Sequence, residues 1–237
     1  MEKKNTILLT VIAVATLLVA VVGATFAYFT ATATTGEGTG TAETGTTEQL
    51  GSTNINMATT ATQGASDMKY PGGMMVAAAE VSATVTGDQT YDMTYDVKVK
   101  VDTSALTGSE SVIKYTVYRV DTTPVSGDLV SGCTYHEDDL SGGSKKYYYT
   151  GCTAATGITT GTAVKTETQI TEHTDATEIT ITDQKFSNVT NAGAKAYYYV
   201  VVSYENSESD QTTTDSGKTI TAQFTGLTNG RATLVQE

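Results

Sequence analysis

The sequence predicts an all-β protein: a single β-sandwich or jelly-roll-like domain preceded by an extended N-terminal segment. Three observations carry that prediction. Tyr91, Met93, Tyr95, Val97, Val99 and Val101 alternate with Asp92, Thr94, Asp96, Lys98 and Lys100, the period of a strand with one buried face. From Ala196 to Tyr204 the chain reads AYYYVVVSY, a continuous apolar run that fits a central strand covered on both faces. Threonine makes up roughly a fifth of the 237 residues, and Thr, Val and Tyr suit pleated, half-buried surfaces. Leucine is scarce beyond the first apolar stretch, so long amphipathic helices are not expected.

The chain opens with Glu2-Lys3-Lys4, then the apolar run from Ile7 to Phe29 that ends in small residues. A basic start, an apolar centre and small residues at the end describe a secretory signal peptide. Signal peptidase accepts small side chains at −1 and −3. Cleavage between Ala27 and Tyr28 satisfies this with Ala27 and Thr25, better than a cut after Ala24, which puts Val22 at −3. The alternative is an uncleaved anchor, because 23 residues suffice to span a bilayer core of roughly 30 Å. No basic stop-transfer flank follows, which favours cleavage.

The block Gly23-Ala24-Thr25-Phe26-Ala27-Tyr28-Phe29-Thr30 resembles the cleavage region of the TasA/CalY (camelysin) family. These are secreted proteins of Gram-positive bacteria processed by the signal peptidase SipW. Ala24 stands where that family more often has Gly. The resemblance implies a secreted, TasA-like structural protein of the cell surface or biofilm matrix, whose mature N-terminus acts as a donor strand in a fibre. It also raises the question of a camelysin-like extracellular metalloprotease.

Removing residues 1–27 leaves 210 residues, with 12 basic against 25 acidic side chains and a net charge of −13. That charge disfavours nucleic acid and anionic membrane surfaces, so membrane contact is expected only through the signal segment. Three segments follow: the signal peptide over 1–27, a Thr/Gly-rich segment over 28–49, and the sandwich over 50–237. The middle segment reads in two ways. Its glycines at 36, 38, 40 and 45 suit a flexible linker. Its start places Phe29, Ala31 and Ala33 on one face of an extended strand, able to add to the sheet edge of another copy.

Within the sandwich, strands are expected at Leu50–Met57 and Met74–Thr86, on either side of a turn over Met68-Lys69-Tyr70-Pro71-Gly72-Gly73. The second breaks the period of two, so a bulge or helical turn is expected at Ala77–Ala79. Val112–Val120 repeats the alternating pattern with Ile113, Tyr115 and Val117 inward. Further strands are read at Ile158–Ile170, Glu178–Thr182, Lys185–Val189, Lys218–Gly226 and Arg231–Val235. The Tyr-rich strand, acidic loop and Thr-rich strand at the end also resemble the TasA-like C-terminal hairpin. Nine to eleven short strands at regular spacing point to a sandwich or jelly roll.

Cys133 and Cys152 are the only cysteines. In an exported chain an even pair reads as a disulfide, here closing a hairpin whose turn is Gly142-Gly143. Such a loop contributes about 3 kcal/mol in the chain-entropy account. A metal or redox pair is disfavoured by the 18 residues between the thiols.

No catalytic or metal-binding motif is found, and no cofactor is expected. His136-Glu137-Asp138-Asp139-Leu140 starts like a zincin helix but has Leu where the second His belongs, and it falls in the expected hairpin loop. The acidic clusters at 137–139 and 205–215 lack the ligand spacing of a calcium loop. Tyr147–Tyr149 and Tyr197–Tyr199 suggest either sugar-binding platforms or core packing with hydroxyls at the rim, and packing is preferred. The expected function is therefore a non-enzymatic, self-associating fibre protein, with signal peptidase as partner during export. A membrane-anchored surface binding module or adhesin is the second reading, and the extracellular metalloprotease the third.

Overall fold

A computed structural model describes residues 39–40, 43–44, 53–60, 62–64, 68–107, 111–206, 215 and 217–235. The chain divides into two units, Met1–Thr39 and Gly40–Glu237, and nearly everything described belongs to the second. The signal segment, the Ala27–Tyr28 cleavage position and the Phe29, Ala31 and Ala33 strand lie outside the described residues.

The fold is all-β and sandwich-like. The strands are β1 (Thr39–Gly40), β2 (Glu43–Thr44), β3 (Thr53–Thr59), β4 (Gln63–Gly64), β5 (Met74–Val85), β6 (Tyr91–Asp102) and β7 (Ile113–Val120). They continue with β8 (Val130–Ser131), β9 (Thr134–Asp139), β10 (Lys145–Thr150), β11 (Thr153–Ala154), β12 (Thr162–Ile170), β13 (Thr177–Val189), β14 (Ala194–Tyr204) and β15 (Thr221–Leu234). One helical turn, α1 (Thr156–Thr159), lies between β11 and β12. The larger sheet runs β1-β3-β5-β14-β7-β12, with β4 also on β5, and the smaller runs β13-β6-β15-β2. Two further ladders, β9–β10 and β8–β11, stand apart from both.

The core forms where the inward faces of the two sheets meet. On β6 the six alternating apolar residues, Tyr91 to Val101, are all buried in it, as the period of two predicts. Each such side chain contributes about 1.5–3 kcal/mol when removed from water. Strand β14 lies between β5 and β7 in unbroken antiparallel register. Its Tyr198, Val200 and Val202 join this core, while Tyr199 turns to a second, smaller cluster on the other side of the sheet. The expectation of a strand covered on both faces holds.

Several expectations are corrected, each for a physical reason. Strand β5 has no bulge or helical turn at Ala77–Ala79: its pairing with β14 runs without a shift from Met74–Ser203 to Ala83–Ala194. The period of two breaks because both faces are covered. Met75, Ala77 and Ala79 face the main core, and Val76 and Ala78 face the second cluster beside Leu129 and Ile158. Ile158 itself belongs to α1, so the strand expected from Ile158 begins only at Thr162. Met68, read as part of the turn, is fully buried.

The two strands expected at 178–182 and 185–189 are one, β13, and those at 218–226 and 231–235 are also one, β15. The polar residues that suggested turns are bulges. Pairing with β6 shifts between Ile181 and Gln184, between Phe186 and Val189, and on β15 between Phe224 and Gly226 and between Thr228 and Arg231. Asp183, Asn188 and Asn229 carry positive φ of 58°, 54° and 54°, a region that Asn and Asp tolerate better than other side chains.

Asp96, expected on the solvent face of β6, is buried for the same reason. Its Oδ1 accepts from the Asp183 amide at 2.9 Å and its Oδ2 from Asn229 Nδ2 at 2.6 Å. One carboxylate thus holds a bulge in each neighbouring strand. Asp92 does likewise on β13, accepting from the Asn188 amide at 3.0 Å and pairing with Lys185 at 2.7 Å. These contacts, Lys185 first, hold the Asp92 carboxyl below its ordinary range.

Candidate functional site

Two side-chain constellations, one sheet edge and one disulfide bear on function. The first constellation is built on the β9–β10 hairpin. Strands β9 and β10 pair from Thr134–Thr150 to Asp139–Lys145, around the Gly142-Gly143 turn where both glycines have positive φ. Just outside its base Cys133 and Cys152 are joined, as the sequence predicts. A second anchor lies on the turn before β5: the Tyr149 amide donates to the Pro71 carbonyl at 2.7 Å. Gly72 fits this junction because a Cβ there would come within 1.8 Å of the Tyr149 carbonyl oxygen.

Alternation then sorts the hairpin's side chains. One face gathers Tyr135, Tyr147 and Tyr149, and the turn adds Tyr70. Tyr70 lies 5.3 Å from Tyr147, 5.8 Å from Tyr135 and 6.2 Å from Tyr149, centroid to centroid. The Tyr135 and Tyr147 rings are 6.4 Å apart with planes only 12° from parallel. Tyr149 is buried, Tyr70 and Tyr147 are half-buried, and Tyr135 is 46% exposed. The preference for core packing is therefore correct for Tyr149, Tyr198 and Tyr199, while Tyr147 is only half-buried and packs beside the exposed Tyr135. The hairpin is a separate two-stranded sheet, and the turn at Tyr70–Gly73 covers Tyr149 more fully than Tyr147 or Tyr135.

On the opposite face His136 stacks on Tyr148, with ring centroids 5.1 Å apart, and its Nε2 lies 3.0 Å from Thr150 Oγ1. His136 is in strand β9 and not in a loop. The loop expected there shrinks to the Gly142-Gly143 turn because 134–139 and 145–150 pair fully. Tyr148 donates to Asp138, which with burial and the charge of Asp138 raises the phenol pKa. Among the described residues, no three His, Cys, Asp or Glu side chains are grouped closely enough to hold a metal ion.

The second constellation is a buried polar cluster where three loops meet, and sequence reading missed it. Ser111 Oγ donates to Asp215 Oδ2 at 2.6 Å, so the Tyr204 hydroxyl, 2.8 Å away, donates to Ser111. Asp215 Oδ1 accepts from the Thr107 amide at 2.7 Å. His173 Nε2 faces the Ser111 carbonyl at 3.0 Å and must carry the proton there; Nδ1, 2.9 Å from Thr103 Oγ1, accepts in the neutral ring. Burial is the leading cause that raises the Tyr204 phenol pKa.

Ser, His and Asp meet here without the geometry of a nucleophilic relay. The Ser111 proton goes directly to a carboxylate, and His173 touches only its main-chain oxygen. What this arrangement does is tie Thr107, Ser111 and Asp215 to Tyr204 at the end of β14. The signal missed in the sequence was polar side chains at strand ends, which look the same whether solvated or interlocked.

The sheet edge is that of β15. Along one side β15 pairs with β6 from Thr221 to Leu234. Along the other, among the described residues, only Arg231 and Ala232 are paired, in parallel with Glu43 and Thr44 of β2. Beside the start of β15 lies a groove of about 660 Å³, bounded by Gln63, Gly64, Met75 and Thr219–Gln223.

In comparisons with known proteins the chain matches no family model, no curated protein and no solved structure.

Proposed function

We propose that this is an exported, non-enzymatic structural protein of the cell surface or biofilm matrix. It assembles into fibres when the N-terminal segment of one copy adds to the sheet edge of the next. The signal-like start and the TasA-like block around Ala27–Tyr28 supply the expectation of export. The observation that carries the assembly reading is the β15 edge. N-terminal residues Glu43 and Thr44 already pair with it in parallel. The stretch from Thr221 to Thr228 has no partner on that side among the described residues. Backbone groups in such an edge are a template for an added strand. Repetition of a non-self-complementary contact is open-ended, which gives fibres.

The test is deletion of residues 28–34 from the mature protein. Circular dichroism should keep its strand signature while negative-stain electron microscopy shows no filaments. Filaments of unchanged length and number would rule the reading out.

A further inference from the structure

We propose that the tyrosine face of the β9–β10 hairpin binds neutral polysaccharide, through ring faces of Tyr135 and Tyr147 and the hydroxyls at their rims. The inference stands whether or not the chain forms fibres. Elsewhere in the molecule, several buried tyrosines use their hydroxyls internally. Tyr95 pairs with Tyr198, Tyr199 accepts from the Val125 amide, and Tyr204 bonds Ser111. Tyr70, Tyr135, Tyr147 and Tyr149 sit ring against ring, yet among the described residues none of their hydroxyls is hydrogen-bonded. The patch thus offers aromatic faces and unspent donors side by side. A pyranose ring needs both: its C–H face is attracted to the negative face of an aromatic ring, and its hydroxyls need partners at the edge.

Size argues against a protein partner and charge against a cation. A stable protein interface covers about 800 Å² per partner, whereas four tyrosines of which only Tyr135 is more than a third exposed offer far less. A cationic ligand would compete with Lys145, which already sits on this strand face and engages Glu137 and Asp139. The platform is also preformed, because the disulfide and the Pro71 contact fix the hairpin before a ligand arrives, which lowers the ordering cost of binding.

Native electrophoresis of the mature protein through gels cast with hydroxyethyl cellulose, laminarin or dextran tests this. At least one of the three should retard the wild type, and Tyr135→Ala should weaken that retardation about three- to ten-fold, the worth of one stacked ring. Tyr148→Ala, on the opposite face of the same hairpin, should leave it unchanged and controls for folding. No retardation in any gel, or equal loss in both variants, would overturn the proposal. So would sedimentation showing that Tyr135→Ala dissociates a dimer, since the face would then join two copies.

Discussion

Asp96 sits where strand alternation assigns a solvent-facing side chain, yet it serves two strands at once. Its two oxygens satisfy Asp183 on β13 and Asn229 on β15, both in left-handed backbone conformations. Truncation to Ala would leave a partly buried amide and a side-chain NH₂ without acceptors, at about 1–3 kcal/mol each. Asp96→Ala should therefore lower the urea midpoint substantially, and Asp96→Asn, which keeps one acceptor oxygen, should lower it less. Equal effects of the two variants would show that charge, not acceptor geometry, matters here. The residue was invisible as a pin in the sequence because alternation reports only which face a side chain takes. Whether a neighbouring strand bulges over that face depends on residues about 90 and 130 positions away, a separation no local pattern senses.

At the scale of elements, the hairpin shows what local pattern can and cannot tell. Its existence, its glycine turn and its disulfide were legible, because each follows from residues within one loop, although β9 runs through His136–Asp139, which were expected in the loop. Its docking was not, since Pro71, Gly72 and Tyr70 come from a distant turn. Gly72→Ala tests that docking. The new Cβ would strike the Tyr149 carbonyl, and φ of 79° is itself unfavourable for Ala. Hydrogen exchange should rise across 134–150 and at Met74, while β6 and β14 keep their protection. Uniform loss of protection would mean that the hairpin is integral to the sandwich and not docked upon it. The same limit explains β13 and β15: Asp183 and Asn229 read as turn residues, and the bulges they occupy are turns in miniature that leave pairing intact on both sides.

At the scale of the molecule, the two sheets are joined by polar contacts as well as by the core. Tyr95 on β6 and Tyr198 on β14 share a hydrogen bond of 2.9 Å, and Tyr198 donates to Gln184 on β13. Arg119 on β7 reaches the Lys185 carbonyl at 2.8 Å and lies over Phe186 and Tyr198. Burial is the main cause that pushes the Tyr95 phenol up to about 12, and it raises Tyr198 as well. An unfolded tyrosine ionises near about 10. Below that pH both states hold the proton and the full stability is present. Above it the unfolded chain is favoured by ionising first, and stability is lost as pH rises through about 12. The loss from Tyr95 alone approaches about 3 kcal/mol. Urea unfolding at rising pH should show this decline, and Tyr95→Phe should flatten it; an unchanged alkaline slope in that variant would assign the decline elsewhere.

Fold class was legible because alternation on β6 and the apolar run on β14 are properties of single strands. Sheet order was not, because β5 meets β14 and β6 meets β15 across most of the chain. The polar cluster at Ser111, His173 and Asp215 was illegible for a related reason. Its members come from three loops, and none of them looks unusual alone.

The two rims of the smaller sheet are chemically unequal. Strands β13 and β15 are each bulged twice, so bulging does not distinguish the rims. What does is that β15 already accepts a short parallel strand, whereas among the described residues β13 pairs only with β6. A polymer grown by strand addition at β15 would therefore have polarity, with chemically different ends that should differ in growth rate.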